Sequence, residues 1–183
     1  MHEEVIISGF GGQGTLFAGQ LLTYAGMFEG RQVTWIPSYG PEMRGGTARC
    51  TVILSDEPID SPIISNPSIL MVMNPDSFEK FEPNVKPGGI LVVNTSLIRN
   101  KSSRKDITVV EVPANDLATE LGNSRMANVV MLGALLAVKP IVRPDSLKEA
   151  MEKEIPASRA RIIEPNKRAL DRGMAFMREA VKA

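Results

Sequence analysis

The chain opens on an apolar run, Val5-Ile6-Ile7-Ser8, followed by four glycines in six residues: Gly9, Gly11, Gly12 and Gly14. Phe17, Leu21, Ala25 and Phe28 then recur at helical spacing, and Gly30 supplies a stop. The order predicts a strand, a glycine turn and a helix, the first half of a βαβ unit. Gln32 to Ile36 reads as the next strand, and Thr47 to Leu54 as a third. In the third, Ala48, Cys50, Val52 and Leu54 alternate with Thr47, Arg49, Thr51 and Ile53, which is period two. Ile69 to Met73 and Ile90 to Val93 are continuous apolar runs, as expected of strands covered on both faces. Ile107 to Val112 follows, and the charged stretch Arg99 to Asp106 before it reads as an exposed loop tip.

Helical signals punctuate and then replace the strands. Asn74 and Pro75 suit the N-cap and first position of a short helix carrying Phe78 and Phe81. Asp116 to Leu121, a run to Val138 capped by Asn123, and a helix opened by Pro144-Asp145 come next. A last helix from Pro165 would place Leu170, Met174, Met177 and Val181 on one face. Val129 to Ala137 is apolar around most of its circumference, so it is either a central core helix or a contact surface for another protein. Strands alternating with helices, then a helical C-terminal third, predict an α/β fold. The expected form is a three-layer α/β/α domain with a mainly parallel sheet, spanning residues 1–183 as one domain.

Composition narrows the chemistry. With 21 basic and 21 acidic residues the formal charge is zero, so no global field draws nucleic acid or an anionic membrane. No basic, apolar, then small-residue leader precedes the first strand, and Val129 to Val138 is too short to span a bilayer, so a cytoplasmic location is expected. Cys50 is the only cysteine and His2 the only histidine. One chain therefore cannot supply a disulfide, a Cys-rich zinc site or four thiolates for an iron–sulfur cluster. A Ser-His-Asp or Cys-His arrangement would need His2, expected to sit at a mobile terminus. Cys50 in an alternating strand reads as a buried structural thiol. No metal site and no catalytic residue are expected on this chain.

Two glycine-rich stretches remain. Gly9, Gly11 and Gly14 fit the spacing G-x-G-x-x-G, and the helix behind them would aim free N–H groups into the loop, where an anion is favoured. A dinucleotide site also asks for an acidic residue ending the next strand; here Ile36 runs into Pro37 and Ser38. Two readings stay open: an anion site over Gly9, Gly11, Gly12, Gln13, Gly14 and Thr15, or tight strand-to-helix packing alone. The second stretch, Ser38-Tyr39-Gly40-Pro41-Glu42-Met43-Arg44-Gly45-Gly46, can continue neither helix nor strand. It is either a solvated connection or a rigid platform presenting Arg44 to a carboxylate, a phosphate or a partner subunit. Both loops follow strands, so both are expected at the carboxyl edge of the sheet, where ligands bind in open α/β folds.

These residues carry a resemblance. Ser8 to Gly14, Ser38 to Thr47 and Asn128 to Leu136 resemble the gamma subunit of 2-oxoacid:ferredoxin oxidoreductases, and the match covers nearly the whole chain. The opening and the Ser-Tyr-Gly-Pro-Glu form are most similar to the 2-oxoglutarate and 2-oxoisovalerate (branched-chain) types. Indolepyruvate oxidoreductase beta subunits share the domain. The resemblance implies an accessory subunit, inactive alone, of a complex that decarboxylates a 2-oxoacid to acyl-coenzyme A and CO2 and passes electrons to ferredoxin. It implies thiamine diphosphate and 4Fe-4S clusters on other subunits (alpha, beta and in some complexes delta) and coenzyme A (CoA) in the assembled enzyme. On that reading the first loop holds a CoA phosphate, and Ser38, Tyr39, Gly40, Pro41, Glu42, Arg44, Gly45 and Gly46 contact CoA or a partner. The alternative is a free-standing regulatory protein that binds a nucleotide or CoA through Gly9 to Thr15.

Arg44 gives the sharpest test of the second loop. Arg44→Ala should weaken subunit assembly or CoA turnover, and Arg44→Lys should do so less, because lysine keeps the charge and loses the two-pronged geometry. Loss of such a contact costs roughly 2 to 5 kcal/mol at a buried interface. Assembly and turnover equal to wild type in both variants would make the loop a mere connection.

Overall fold

A computed structural model describes residues 1–39 and 46–182. The elements in chain order are β1 (His2–Phe10), α1 (Thr15–Phe28), β2 (Gln32–Tyr39), β3 (Thr47–Ser55), β4 (Ile69–Val72) and α2 (Pro75–Phe81). They continue with β5 (Ile90–Asn94), β6 (Thr108–Val112), α3 (Ala114–Glu120), α4 (Ala127–Val138), α5 (Pro144–Glu154) and α6 (Ile163–Lys182). The six strands form one sheet in the order β2-β3-β1-β4-β5-β6. β1, β4, β5 and β6 pair in parallel, whereas β3 is antiparallel to both β1 and β2. The first crossover therefore leaves β2 one strand away from β1, with β3 inserted between them.

The period-two reading of β3 holds. Ala48, Cys50, Val52 and Leu54 are buried and, apart from Ala48, join the core formed with α1. Ile53, on the opposite side, is buried as well. Burial pushes the Cys50 thiol up to about 12, and its Sγ donates to the Thr15 carbonyl at 3.4 Å, so it is a packed, neutral group. In β4, Ile69 and Met71 face one core and Leu70 and Val72 the other, as a strand covered on both faces requires. The two covers are unequal. α1, α3, α4, α5 and α6 contribute to the larger core, while α2, with Phe78 and Phe81, and the segment after β5, with Ile98, close the smaller one.

Several expectations shift in detail. In α1 the fully buried positions are Ala18, Leu21, Leu22 and Ala25, while Phe17 and Phe28 pack at the margin. The small residues face inward because α1 lies tight on the sheet: a Cβ on Gly19 would stand 2.4 Å from Cys50 Sγ, and one on Gly26 2.6 Å from Leu54 Cδ2. His2 is not at a loose end; it opens β1 and pairs with Ser55. The stretch before β6 is anchored, since Arg104 forks onto Asp106 at 2.9 and 2.6 Å and donates to the Glu82 carbonyl at 3.1 Å. α2 is capped as read, with Asn74 Oδ1 accepting from Ser77 N at 3.0 Å. α6 starts two residues before Pro165, which sits in its first turn, where a missing N–H costs nothing. Leu170 is buried and Met174 and Met177 are half-buried; the Val181 side chain lies outside the described residues.

α4 is a core helix: Ala127 to Leu136 are all buried. Its packing on α6 is backbone to backbone. A Cβ on Gly133 would come 2.1 Å from the Leu170 carbonyl oxygen, and one on Gly173 would come 1.9 Å from that of Val130. Because the obstacles are backbone atoms, no side-chain rotation can relieve them. Gly173→Ala is therefore expected to cost about 3 kcal/mol by overpacking. For a domain of this size that lowers the melting temperature by roughly 6–12 °C. A melting curve identical to wild type would show that the helices part freely.

Candidate functional site

The glycine loop is built by hydrogen-bond accounting. Gln13 N–H donates to the Phe10 carbonyl at 3.2 Å, closing the turn. The Gln13 side chain accepts from Phe10 N–H at 2.6 Å and donates to the Met73 carbonyl at 3.0 Å, which fastens the loop to the end of β4. Gly14 caps α1 in a left-handed conformation (φ 77°), and its carbonyl accepts from Ala18 N–H at 3.0 Å and from Asn128 Nδ2 at 2.9 Å. Among the described residues no side chain caps this helix, and its first internal bond closes at Ala18, so the amides of the opening turn lie ahead of the ladder.

Each candidate residue now has a place. Gly9 is a packing position, where a Cβ would meet Gln13 Oε1 at 2.5 Å and Met73 Cβ at 2.9 Å. Gly11 N–H donates to the Gly46 carbonyl at 2.9 Å, extending the β1–β3 ladder beyond the Phe10–Thr47 pair. Gly12 is exposed with φ 95°, and among the described residues nothing lies within 4 Å of a would-be Cβ. Thr15 begins α1 and is buried. Gln13 is a clamp, its side-chain amide occupied at both ends. Ser38 is exposed near the end of β2, and Tyr39 closes that strand opposite Ala48. Gly40, Pro41, Glu42, Met43, Arg44 and Gly45 lie outside the described residues. The described ends of the second loop nonetheless reach the first, as expected of two loops opening at one sheet edge.

Among the described residues, three clefts adjoin the glycine loop. The first, about 520 Å³, runs between Gly11, Gly12 and Gly14 on one side and Gly46, Thr47 and Ala48 on the other, with Leu16, Phe17 and Gln20 along it. A small one of about 120 Å³ lies between Gly12, Gln13, Asn115 and Arg125. The third, about 450 Å³, is bounded by Gly14, Phe17, Asn128, Met126, Ile162, Arg125 and Arg168. Periodicity gave no hint of the third, because its walls come from segments far apart in the chain. What the first cleft offers chemically is the uncapped opening turn of α1 and the positive end of its dipole. The strand beside β1 on this flank is the antiparallel β3, whose first residues line the cleft, so the ribose-binding acid of a dinucleotide fold has no position to occupy.

A family model described as pyruvate ferredoxin/flavodoxin oxidoreductase matches residues 4–176. The chain belongs to that family. Among relatives of this pyruvate ferredoxin/flavodoxin oxidoreductase domain, 2-oxoglutarate synthase subunit KorC of Methanocaldococcus jannaschii is 36% identical over 159 residues, covering 85% of each chain. Ketoisovalerate oxidoreductase subunit VorA of Methanothermobacter thermautotrophicus is 37% identical over 180 residues, 98% of this chain. The chain spans only 37% of that subunit's length. The crystal structure of the keto/oxoacid ferredoxin oxidoreductase gamma subunit from Geobacter sulfurreducens superposes with a TM-score of 0.85 at 27% identity, covering 98% of both chains.

The clamp is testable. Gln13→Ala leaves the Phe10 N–H and the Met73 carbonyl without their partner, so a loss of about 1–3 kcal/mol is expected. Faster amide exchange at Phe10 should accompany it. Unchanged exchange and stability would show that the turn holds without the side chain.

Proposed function

We propose that this chain is the gamma-type accessory subunit of a 2-oxoacid:ferredoxin oxidoreductase, working with alpha and beta subunits, with or without a delta subunit, and reaching ferredoxin only through them. The observation that carries this reading is the end-to-end correspondence with a separate subunit of the same size: 85% of both chains for KorC and 98% of both for the Geobacter gamma subunit. The chain's single cysteine fits a subunit whose 4Fe-4S clusters and thiamine diphosphate sit elsewhere. The relatives named for 2-oxoglutarate and ketoisovalerate favour an oxoacid of one of those two types. Among the described residues no helix is long and apolar enough to cross a membrane, which is compatible with action in the cytoplasm.

Within the complex, the first cleft would take a phosphate of CoA. The amides of Gly12, Gly14 and Thr15 supply donors, Gln13 N–H being spent on the turn; the dipole of the 14-residue α1 favours negative charge, and Gly12 leaves the approach open. The chain then contributes binding and orientation, while bond making belongs to the cofactors on its partners. A free-standing regulatory role has no observation in its favour.

The test is reconstitution. Co-expressed alpha and beta subunits should capture this chain, and CoA-dependent reduction of a viologen dye by a 2-oxoacid should require it. The chain alone should be colourless and inactive. In the complex, Gly12→Asp places a carboxylate against the phosphate and should raise the KM for CoA by about tenfold, with Gly12→Asn as the neutral control. Full turnover without the chain would overturn the subunit reading. An unchanged KM in Gly12→Asp would remove only the loop from it.

A further inference from the structure

We propose, on the subunit reading above, that the free edge of β2 and the outer face of α1 dock a partner subunit through an uncharged strand laid along β2. Charge is the first sign. α1 has 14 residues and β2 has 8, and none of them is charged. At the chain's 23% charged content, the two elements together would carry about five. A surface helix ordinarily turns charged residues to water. Here Leu16, Gln20, Thr23 and Met27 form one outward line at helical spacing, with Tyr24 and Phe28 beside it, and Met27 is 51% exposed. A Cβ on Gly19 would stand 2.9 Å from Trp35 Nε1, and one on Gly26 3.0 Å from Val33 Cγ1. α1 therefore lies close over β2, and the line borders the edge of the sheet.

The backbone of that edge is the second sign. β2 is the last strand on its side of the sheet. Gly11 N–H donates to the Gly46 carbonyl, so in the antiparallel β1–β3 pair the even-numbered residues of β3 turn their backbone groups to β1. The odd-numbered ones, Arg49, Thr51 and Ile53, thus bond to Ser38, Ile36 and Thr34 of β2. That leaves the N–H and C=O groups of Val33 and Trp35 pointing outward, together with the Pro37 carbonyl. Among the described residues none of these has another backbone partner. Proteins ordinarily guard such an edge with lysine, other charges or a covering element. Here Pro37 removes one donor, and nothing charged stands on the strand. Ile36 turns to the opposite face of the sheet from Trp35 and is 41% exposed, so an added strand finds apolar side chains on both faces.

Position and charge select the occupant. Leu16 and Gln20 also wall the first cleft, so this face continues from the proposed CoA site. The cofactors that act there belong to other subunits, so a partner subunit has to stand beside the cleft. A second copy of this chain on the same face would occupy their approach. Burying a charge against an uncharged face is costly, so the partner's surface is apolar and uncharged as well. Charge resumes at the rim. Glu29 and Arg31 pair at 3.2 Å where α1 leads into β2, and Lys153, bonded to Glu149 at 2.6 Å, sits 4.4 Å over the Phe28 ring. An uncharged centre with a polar rim is the ordinary build of a protein interface. Strand addition supplies affinity through main-chain bonds.

The test uses the full chain with co-expressed alpha and beta subunits. Met27→Glu/Ile36→Lys alters two exposed side chains, so the melting curve of the chain alone should match wild type. Its affinity for the alpha and beta subunits should fall at least about tenfold by interferometry. Ile63→Glu, exposed on the loop between β3 and β4, should bind as wild type. In hydrogen exchange the Val33 and Trp35 amides should be open in the chain alone and slowed at least about tenfold in the complex. Exchange needs no variant, so it decides the matter even if the double variant fails to fold. Sedimentation should show the wild-type chain alone as a monomer. Wild-type affinity in the double variant, an equal loss in Ile63→Glu, or unprotected amides in the complex would overturn the docking face and leave the subunit reading intact. A chain that dimerises alone and is split by Met27→Glu would give the face to a second copy and overturn the proposal. Alpha and beta subunits that do not take up the wild-type chain would overturn the subunit reading, and the docking face with it.

Discussion

The structure turns on how the loop from Gly9 to Gly14 is closed. A chain leaving a buried strand exposes amides and carbonyls that must find partners, and here the loop finds them within itself and across the sheet edge. Gln13 ties the end of β1 to the end of β4, and Asn128 ties the last loop carbonyl to the start of α4. Those two side chains fix where α1 begins and which way its axis points. The three clefts are gaps between this one rigid turn and its neighbours, so the placement of every candidate binding group depends on it.

The second constraint is close approach. α1 lies on β3 through Gly19 and Gly26, and α4 meets α6 through Gly133 and Gly173. Glycine at such points weakens a helix by about 1 kcal/mol relative to alanine. That loss is offset by dispersion contacts that only a near backbone can make. The same tightness brings Ile162, Asn166 and Arg168 on one side within reach of Phe17, Met126 and Asn128 on the other, and thereby forms the arginine-rimmed cleft.

The inserted strand separates this domain from a dinucleotide fold. With β3 antiparallel beside β1, the sequence after the first crossover goes to the sheet edge, and the flank of the glycine loop is walled by Thr47 and Ala48. The loop keeps the glycine spacing and helix start of the dinucleotide motif and has no place for the acid that reads ribose. This is consistent with a phosphate-bearing ligand recognised by other means.

Local chemistry made much of this legible. The β-branched run, the glycines and the Asn74-Pro75 pair have one physical solution each, so β1, the loop, α1 and α2 appear within about three residues of where the amino acids place them. Burial of β4, β5 and α4 followed from unbroken apolar runs, since no polar face was available to turn toward water. The sequence determined that the first loop would leave its opening amides uncapped, because Gly14 has no side chain to cap with. What it could not determine was pairing. Period two is the same for a parallel and an antiparallel neighbour, so the insertion of β3 became visible only when hydrogen bonds set the order of the sheet. Face selection in α1 was also a tertiary decision: Phe17 and Phe28 sit at the margin, while Gly19 and Gly26 face β3, where an added Cβ would strike Cys50 and Leu54. Arg125 and Arg168 are unremarkable in their own segments, one in a turn and one on a helix. Only the crossing of α4 and α6 at two glycines brings their segments to the wall of one cleft.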